Sequence, residues 1–399
     1  MKRIAIISPS LLPIPAIYGG AVESLIQNFI DENELQRRVN LDVVTIYDQT
    51  AAKVSKDYAE TRFLWIKKDT ISILSWNILR VFNIIKRFFN SSQIGITFEG
   101  YMLQKILKNN DYDAVIVEGN GDHLHYLKNI VSPDKLYFHI HSFHYCSSTE
   151  RNKYLMSIPH KIISVSQFIA KSLNENLNIP YENIVVVKNC ISSHFYSTKK
   201  VEREPLIDKN KISIVFTGRI VKEKGILELL DALYLIRDSK WKLNIIGSFG
   251  SDFGMQDGKK NNSTISFQEE VINKISGFGD CVVLSGYIEN NKIPEIYPHF
   301  DFAVMPSICN EAAPLVIGEF MAAGLPVVAS NLGGIPEYLP NEAGIVVPYD
   351  ENFVQKLAES IKLLIENKEL RVQMSKIVKD ISKNYMPLRY YSEIIEVFN

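Results

Sequence analysis

Short β-branched runs alternate with helix-period patterns from one end of this chain to the other, and the alternation starts afresh near the midpoint. Parallel neighbours need a long crossover between them, so this grammar predicts parallel sheets covered by helices. In the first half Arg3–Ser8, Leu41–Ile46, Ala114–Glu118, Leu136–His141, Lys161–Val165 and Ile184–Val187 read as strands. In the second half the strands are Ile212–Thr217, Leu243–Ile246, Val282–Leu284, Phe302–Met305, Pro326–Ala329 and Gly344–Val347. Each is a near-continuous apolar run, as expected of strands buried on both faces. Between the halves, the polar and aperiodic stretch Ser197–Asn210 reads as a linker. The expected architecture is therefore α/β with two domains, 1–200 and 201–386. Pro387–Asn399 reads as a helix with Tyr390, Ile394, Ile395 and Phe398 near one face. It either closes the second domain or crosses back to the first.

A chain of 399 residues is comfortable for two such domains. Its formal net charge of -1 argues against binding nucleic acid through a global positive field. Cys146, Cys190, Cys281 and Cys309 form no CxxC pair, which fits neither a disulfide scaffold nor a zinc site and points to a reducing cytoplasm. The N-terminal apolar run is broken by Ser8, Pro9 and Pro13, so it reads as a strand rather than a signal peptide. No stretch reaches the ~18–20 uninterrupted apolar residues of a membrane span. The expectation is a cytoplasmic protein, soluble or peripheral at the inner face of the cell membrane. One segment bears on the second option: as a helix, Ile71–Asn90 combines a wide apolar face containing Trp76, Phe82, Phe88 and Phe89 with a cationic stripe. It reads as membrane-surface docking or as a core helix with a basic edge.

The densest chemistry lies in Pro306–Gly334. Pro314 is expected at the first position of a helix over Leu315–Ala323, where its missing N–H costs nothing, and Gly324 just past the end. The loop before it then leads into free amides at a helix N-terminus, a ready site for phosphate. Glu311 precedes this helix and Glu319 lies inside it, beside Val316, Phe320 and Ala323, which read as buried. Carboxylates so placed can accept from sugar or ribose hydroxyls. A second cluster, Phe216–Gly225, carries Arg219 and Lys224 off the carboxyl end of a strand, where open α/β sheets bind ligands. Guanidinium and ammonium there suit a diphosphate.

In the first half, Gly19 and Gly20 follow strand one and allow close backbone approach to a pyrophosphate. No G-x-G-x-x-G fingerprint follows any strand, which counts against a dinucleotide oxidoreductase. His139 and His141 are expected on opposite faces of their strand, with His141 at its carboxyl end able to reach a sugar. His123, His125 and His144 form no trusted metal spacing.

As a set these residues resemble the retaining glycosyltransferases of family four, of the bacterial surface-polysaccharide type, whose GT-B fold is two Rossmann-like domains facing each other across a cleft. FTGRIVKEKG resembles that family's donor-phosphate loop, and Glu311 with Glu319 its Glu-x7-Glu block. The paired glycines, His141 and Ile163–Gln167 match in order and spacing. The resemblance implies that the first domain serves the acceptor and the second the nucleotide-sugar donor. It implies that Arg219 and Lys224 hold the diphosphate, Glu319 the ribose, Glu311 the donor sugar and His141 a sugar hydroxyl. Gly20, with Gly19 beside it, approaches the diphosphate, and the amides of Leu315 and Val316 after Pro314 meet sugar or phosphate. Leu284–Glu289, with Tyr287 and Ile288, resembles the segment whose backbone reads the base.

Two departures stand out. Asn189-Cys190-Ile191-Ser192 replaces the family's Asn-Gly-Ile-Asp, and Ser248–Glu270 is a long polar connection, either a mobile loop over the site or an insertion.

The implied reaction moves a sugar from a nucleoside-diphosphate donor, a UDP-sugar by default, to a saccharide or lipid-linked saccharide, with retention. No cofactor and no metal are expected, because the cations and the helix dipole replace one and no suitably placed DxD motif offers another. A sugar-nucleotide epimerase, a glycosyl phosphorylase or a non-catalytic nucleotide-sugar-binding subunit are the competing readings.

Overall fold

The computed structural model describes residues 1–68, 73, 97–196, 211–250 and 262–399. The expected linker Ser197–Asn210, all of Ile71–Asn90 except Ile73, and residues 251–261 of the polar connection lie outside them. The chain divides into two compact units, Met1–Asn189 with Pro387–Asn399, and Cys190–Met386. Among the described residues no helix is long and apolar enough to cross a membrane.

The first unit is built on strands β1 (Lys2–Ile7), β2 (Val39–Ile46), β3 (Thr61–Ile66), β4 (Ala114–Glu118), β5 (Leu136–Ile140), β6 (Lys161–Ser164) and β7 (Ile184–Val186). They form one parallel sheet in the order β3-β2-β1-β4-β5-β6-β7. Strand β3 is not among the expected strands, because TRFLWI carries a charge and lies at an edge rather than in an apolar run. Asp42 of β2 helps fix it there. Its buried carboxylate accepts from Arg62 Nε at 2.8 Å, Arg3 Nη2 at 2.9 Å and the Tyr112 hydroxyl at 2.7 Å. A buried charge is tolerable when surrounded by donors in this way.

The helix Pro387–Glu396 belongs to this first unit, so the chain does cross back. Its buried residues Pro387, Tyr390, Tyr391, Ile394 and Ile395 recur at helical spacing and make one stripe. Tyr391 packs on Phe29 with ring centroids 4.9 Å apart, and its hydroxyl donates to Asn33 Oδ1 at 2.7 Å. Beyond the helix, Phe398 meets Tyr137 edge-on at 4.8 Å. Truncating Tyr391 to Ala empties a fully buried ring site and removes one of the two donors to Asn33 Oδ1, which keeps only Val39 N–H at 3.4 Å. Denaturant unfolding is expected to show a loss of about 3–5 kcal/mol; an unchanged midpoint contradicts this docking.

The second unit carries β8 (Ile212–Thr217), β9 (Trp241–Ile246), β10 (Val282–Gly286), β11 (Phe302–Met305), β12 (Val327–Ser330) and β13 (Gly344–Val347). Their parallel order is β10-β9-β8-β11-β12-β13. One core packs Leu229, Leu233, Leu357 and Ile361 against the sheet, and the other packs Ile317, Phe320, Ile335 and Tyr338. Both faces are therefore covered, which is why the strands read as unbroken apolar runs. In each unit the order reverses beside the first strand, at β1/β4 and at β8/β11. A crevice opens outside the carboxyl ends of the strands at such a switch point. These are two Rossmann-like units.

Candidate functional site

In the second unit three loops leave the carboxyl ends of β8, β11 and β12 and are tied together by backbone. Gly225, at φ 70°, lies so close to the β11 loop that a Cβ would stand 1.9 Å from the Pro306 carbonyl oxygen. Ile308 donates its N–H to Glu223 at 2.9 Å, and Gly334 donates to the Glu311 carbonyl at 2.7 Å. Gly333 has φ 61°, and a Cβ there would meet the Glu311 carbonyl oxygen at 2.3 Å. Only glycine fits at these two approaches.

Side chains complete the tie. Lys224 Nζ donates to Glu311 Oε1 at 2.6 Å, and the Ser307 hydroxyl donates to the same oxygen at 2.8 Å. Sequence alone gave Lys224 to phosphate and Glu311 to sugar; the structure pairs them with each other. Arg219, in contrast, is exposed, and its side chain has no hydrogen bond or ion pair among the described residues. The pair is neutral as a unit, whereas Arg219 and Lys222 on the same loop are exposed and make no side-chain ion pair among the described residues.

The helix of the β11 loop runs Leu315–Ala322. Pro314 is its N-cap with ψ 103°, not its first helical residue, and no side chain caps that end. The amides of Leu315 and Val316 therefore open the helix without a side-chain acceptor. Gly324 does stand just past the other end, at φ 83°. Leu325 N–H reaches the Phe320 carbonyl at 2.9 Å and Gly324 N–H the Met321 carbonyl at 2.9 Å, a Schellman closure.

Glu319 lies on this helix beside its buried face. That face is Ile317, Gly318, Phe320 and Met321; Val316 and Ala323, expected to be buried, are half-exposed at its margins. The Glu319 carboxyl has no hydrogen bond or ion pair among the described residues, and burial pushes it up to about 7. Tyr297, fully buried nearby, is pushed well above its ordinary value by burial and then by the charge of Glu319. A desolvated, unpaired carboxylate is costly to ionise and ready to accept from ligand hydroxyls.

Tyr287 and Ile288 follow β10 on the same carboxyl edge, Tyr287 exposed and Ile288 packed on the core. Gly247 joins the strand ends there: its N–H donates to the Gly286 carbonyl at 2.8 Å, and a Cβ on it would stand 1.9 Å from the Gly218 carbonyl oxygen. Ser307, Gly333, Gly247 and Tyr297 had no assigned role in the sequence. Small residues after apolar strands were the available signal for the first three, and nothing in sequence marks Tyr297.

In the first unit Gly19 and Gly20 both have positive φ, 75° and 97°, and Gly20 caps the helix Ala21–Gln36. A Cβ on Gly20 would stand 2.2 Å from Glu23 Oε2. Glu23 is buried, and burial pushes its carboxyl up. The turn after β1 therefore already faces an acid of its own.

His139 and His141 do not lie on opposite faces. Both bond to Glu118, His139 Nδ1 at 3.1 Å and His141 Nε2 at 2.7 Å, with ring centroids 4.1 Å apart. Residues two apart on an extended chain share a face, which is the physical reason. Burial pushes the Glu118 carboxyl up, but the two imidazoles outweigh it and hold it at about 2. Burial and His139 take His141 down to about 4 against the pull of Glu118. The ligand atoms of these three side chains lie within 4.8 Å of one another, close enough for a cation, yet both nitrogens already bond to the carboxylate.

Against this geometry, residues 197–380 match the family model described as glycosyl transferases group 1. The lipopolysaccharide 1,2-N-acetylglucosaminetransferase of Salmonella typhimurium is 28% identical over 57% of this chain, which spans 57% of that relative's length. An uncharacterized 41.2 kDa protein in the cps region of Klebsiella pneumoniae is 24% identical over 88% of this chain and 89% of its own. The Anabaena protein Alr3699/HepE, solved in complex with UDP-glucose, superposes with a TM-score of 0.72 at 17% identity, over 100% of this chain and 99% of that one. The family match falls almost entirely within the second half of the chain, and the solved neighbour shares the fold over its whole length.

Glu319 gives a stability test. Its folded pKa of about 7 stands above the ordinary 4.5, so ionisation is penalised in the fold. The penalty is absent below the ordinary value and complete above the folded one. Glu319→Gln is therefore expected to raise Tm at pH about 8 and to lose that advantage by pH about 4.5. Thermal melts across that window decide it, and equal Tm differences at both ends contradict the desolvated carboxyl.

Proposed function

We propose that this chain is a retaining glycosyltransferase that moves a sugar from a nucleoside-diphosphate sugar, a UDP-sugar first among them, to a saccharide or lipid-linked saccharide in polysaccharide assembly. The observation that carries the reading is the convergence, at the β8/β11 switch point, of Arg219, whose side chain has no partner among the described residues, with Lys224 and a helix N-terminus that no side chain caps. A diphosphate is the ligand such an edge suits. The Salmonella relative is named for transfer in lipopolysaccharide, and the Anabaena neighbour holds UDP-glucose, both in keeping with that donor and acceptor class.

In this mechanism Arg219 grips the diphosphate while Lys224 shares its charge between Glu311 and the phosphates. Glu311, held by Ser307, turns its remaining lone pairs to hydroxyls of the donor sugar. The amides of Leu315 and Val316 meet charge that develops as the glycosidic bond to the diphosphate breaks. Glu319 accepts from ribose, and the Tyr287–Ile288 backbone reads the base. The dominant catalytic effect is preorganised stabilisation of the leaving group, without a carboxylate nucleophile and without a metal ion. His141, Gly19 and Gly20 keep the roles that the resemblance implies, a sugar hydroxyl for the histidine and a diphosphate for the glycines. A lipid-linked acceptor places the work at the cytoplasmic membrane surface, to which the apolar and basic sequence of Ile71–Asn90 is suited.

Lys224→Ala and Glu319→Ala, assayed by nucleotide release and sugar transfer over a donor panel, are each expected to lose ~10²–10³ in rate while remaining folded. Near-native turnover in both contradicts the site.

A further inference from the structure

Glu118 closes β4 directly opposite His139 of β5, and His141 follows one step past the strand end. All three side chains are almost wholly buried, at 4%, 0% and 8% exposure. An ionised carboxylate can only accept, so each imidazole must present an N–H to it. That requirement decides which nitrogen carries the proton. His141 contacts Glu118 through Nε2 at 2.7 Å, which puts the proton on Nε2 and leaves Nδ1 as a bare lone pair. Nδ1 makes no hydrogen bond among the described residues. His139 is fixed in the opposite sense, through Nδ1, and its ring lies against Tyr390 at 6.2 Å between centroids.

The position of the ring gives the free nitrogen something to do. A Cβ on Gly119 would lie 3.7 Å from His141 Cδ2, 3.6 Å from Pro9 and 3.9 Å from Val22. His141 therefore stands at the β1/β4 switch point, beside the turn that carries Gly19 and Gly20. We propose that Glu118 is a positioning residue, which holds His141 as the Nε2–H tautomer so that its Nδ1 lone pair accepts from a hydroxyl of the transferred sugar. The hydroxyl assignment rests on the glycosyl-transfer reading; the tautomer does not. Both rings lie nearest the same carboxylate oxygen, Oε2, at 3.1 Å and 2.7 Å, whereas leucine at position 118 offers neither ring an acceptor, so nothing there fixes either proton.

The test is proton–nitrogen correlation NMR on the full chain with isotope-labelled histidine at neutral pH, with His141 signals assigned by their loss in His141→Gln. The expected native spectrum shows His141 with Nε2 protonated and Nδ1 bare. Glu118→Leu is expected to disturb the tautomers of the His139–His141 pair and lower kcat/KM for transfer by about 10–100-fold, the loss typical of removing a partner that orients a functional histidine at a metal site. The same substitution in a His141→Gln background should cost little more. A native His141 carrying its proton on Nδ1, or on both nitrogens, overturns the proposal, as does Glu118→Leu with unaltered tautomers. Should Glu118→Leu fail to fold, the native spectrum alone decides. The expected tautomer in a chain that transfers no sugar from any nucleoside-diphosphate donor supports the role of Glu118 on the ring and counts against glycosyl transfer instead.

Discussion

The ion pair between Lys224 and Glu311 holds the second unit's functional edge together. It spans 2.6 Å between two loops that come from different strands, and the Ser307 hydroxyl steadies the same oxygen. Glycine at 225 and 333 lets these loops approach so closely that a methyl group at either would collide with a carbonyl oxygen, and the Ile308–Glu223 and Gly334–Glu311 backbone hydrogen bonds hold them there. The pair is only partly buried, so its own contribution to stability is modest. Its larger effect is electrostatic. By neutralising each other, the two side chains leave the exposed cations Arg219 and Lys222 of the same loop, neither of them ion-paired among the described residues, to attract an anion to this edge.

Everything else at this edge follows from strand order. A parallel sheet that reverses direction beside its first strand separates two loops at their carboxyl ends, and the chain places Arg219–Lys224 on one and Glu311–Pro314 on the other. The helix after Pro314 then points its amides at the gap while packing Ile317 and Phe320 into the core. Glu319 carries a cost in that packing, since its carboxyl is desolvated without a hydrogen bond or ion pair among the described residues. Such costs persist where a ligand supplies the missing contact. The first unit repeats the topology with different chemistry, an imidazole pair around Glu118 where the second unit has cations.

Much of this was legible from residues alone. Strands β4, β8, β11 and β13 fall where their apolar runs begin and end, because strands covered on both faces cannot tolerate polar interruptions. Gly324 was legible because a left-handed position after a helix selects glycine. Strand β3 was not, since an edge strand held by Arg62 on Asp42 breaks the pattern that identifies the others. The side-chain partnerships were also hidden. Nothing in the order of residues shows that Lys224 meets Glu311 across 87 positions, or that Glu118 gathers two histidines from the next strand. The histidines were misplaced by a simple error of parity, as residues two apart lie on one side of a strand. Pattern reveals the elements, while pairing depends on the register between them.

The central claim is that fixed protein cations and amides at the β8/β11 edge bind a diphosphate without help from a metal ion. Isothermal titration of UDP into the full chain in buffer containing EDTA tests it most directly, with Arg219→Ala run alongside. The account predicts saturable binding that weakens with added salt and falls sharply in the variant. Binding that appears only when a divalent cation is restored, or that is unchanged by the loss of Arg219, contradicts it.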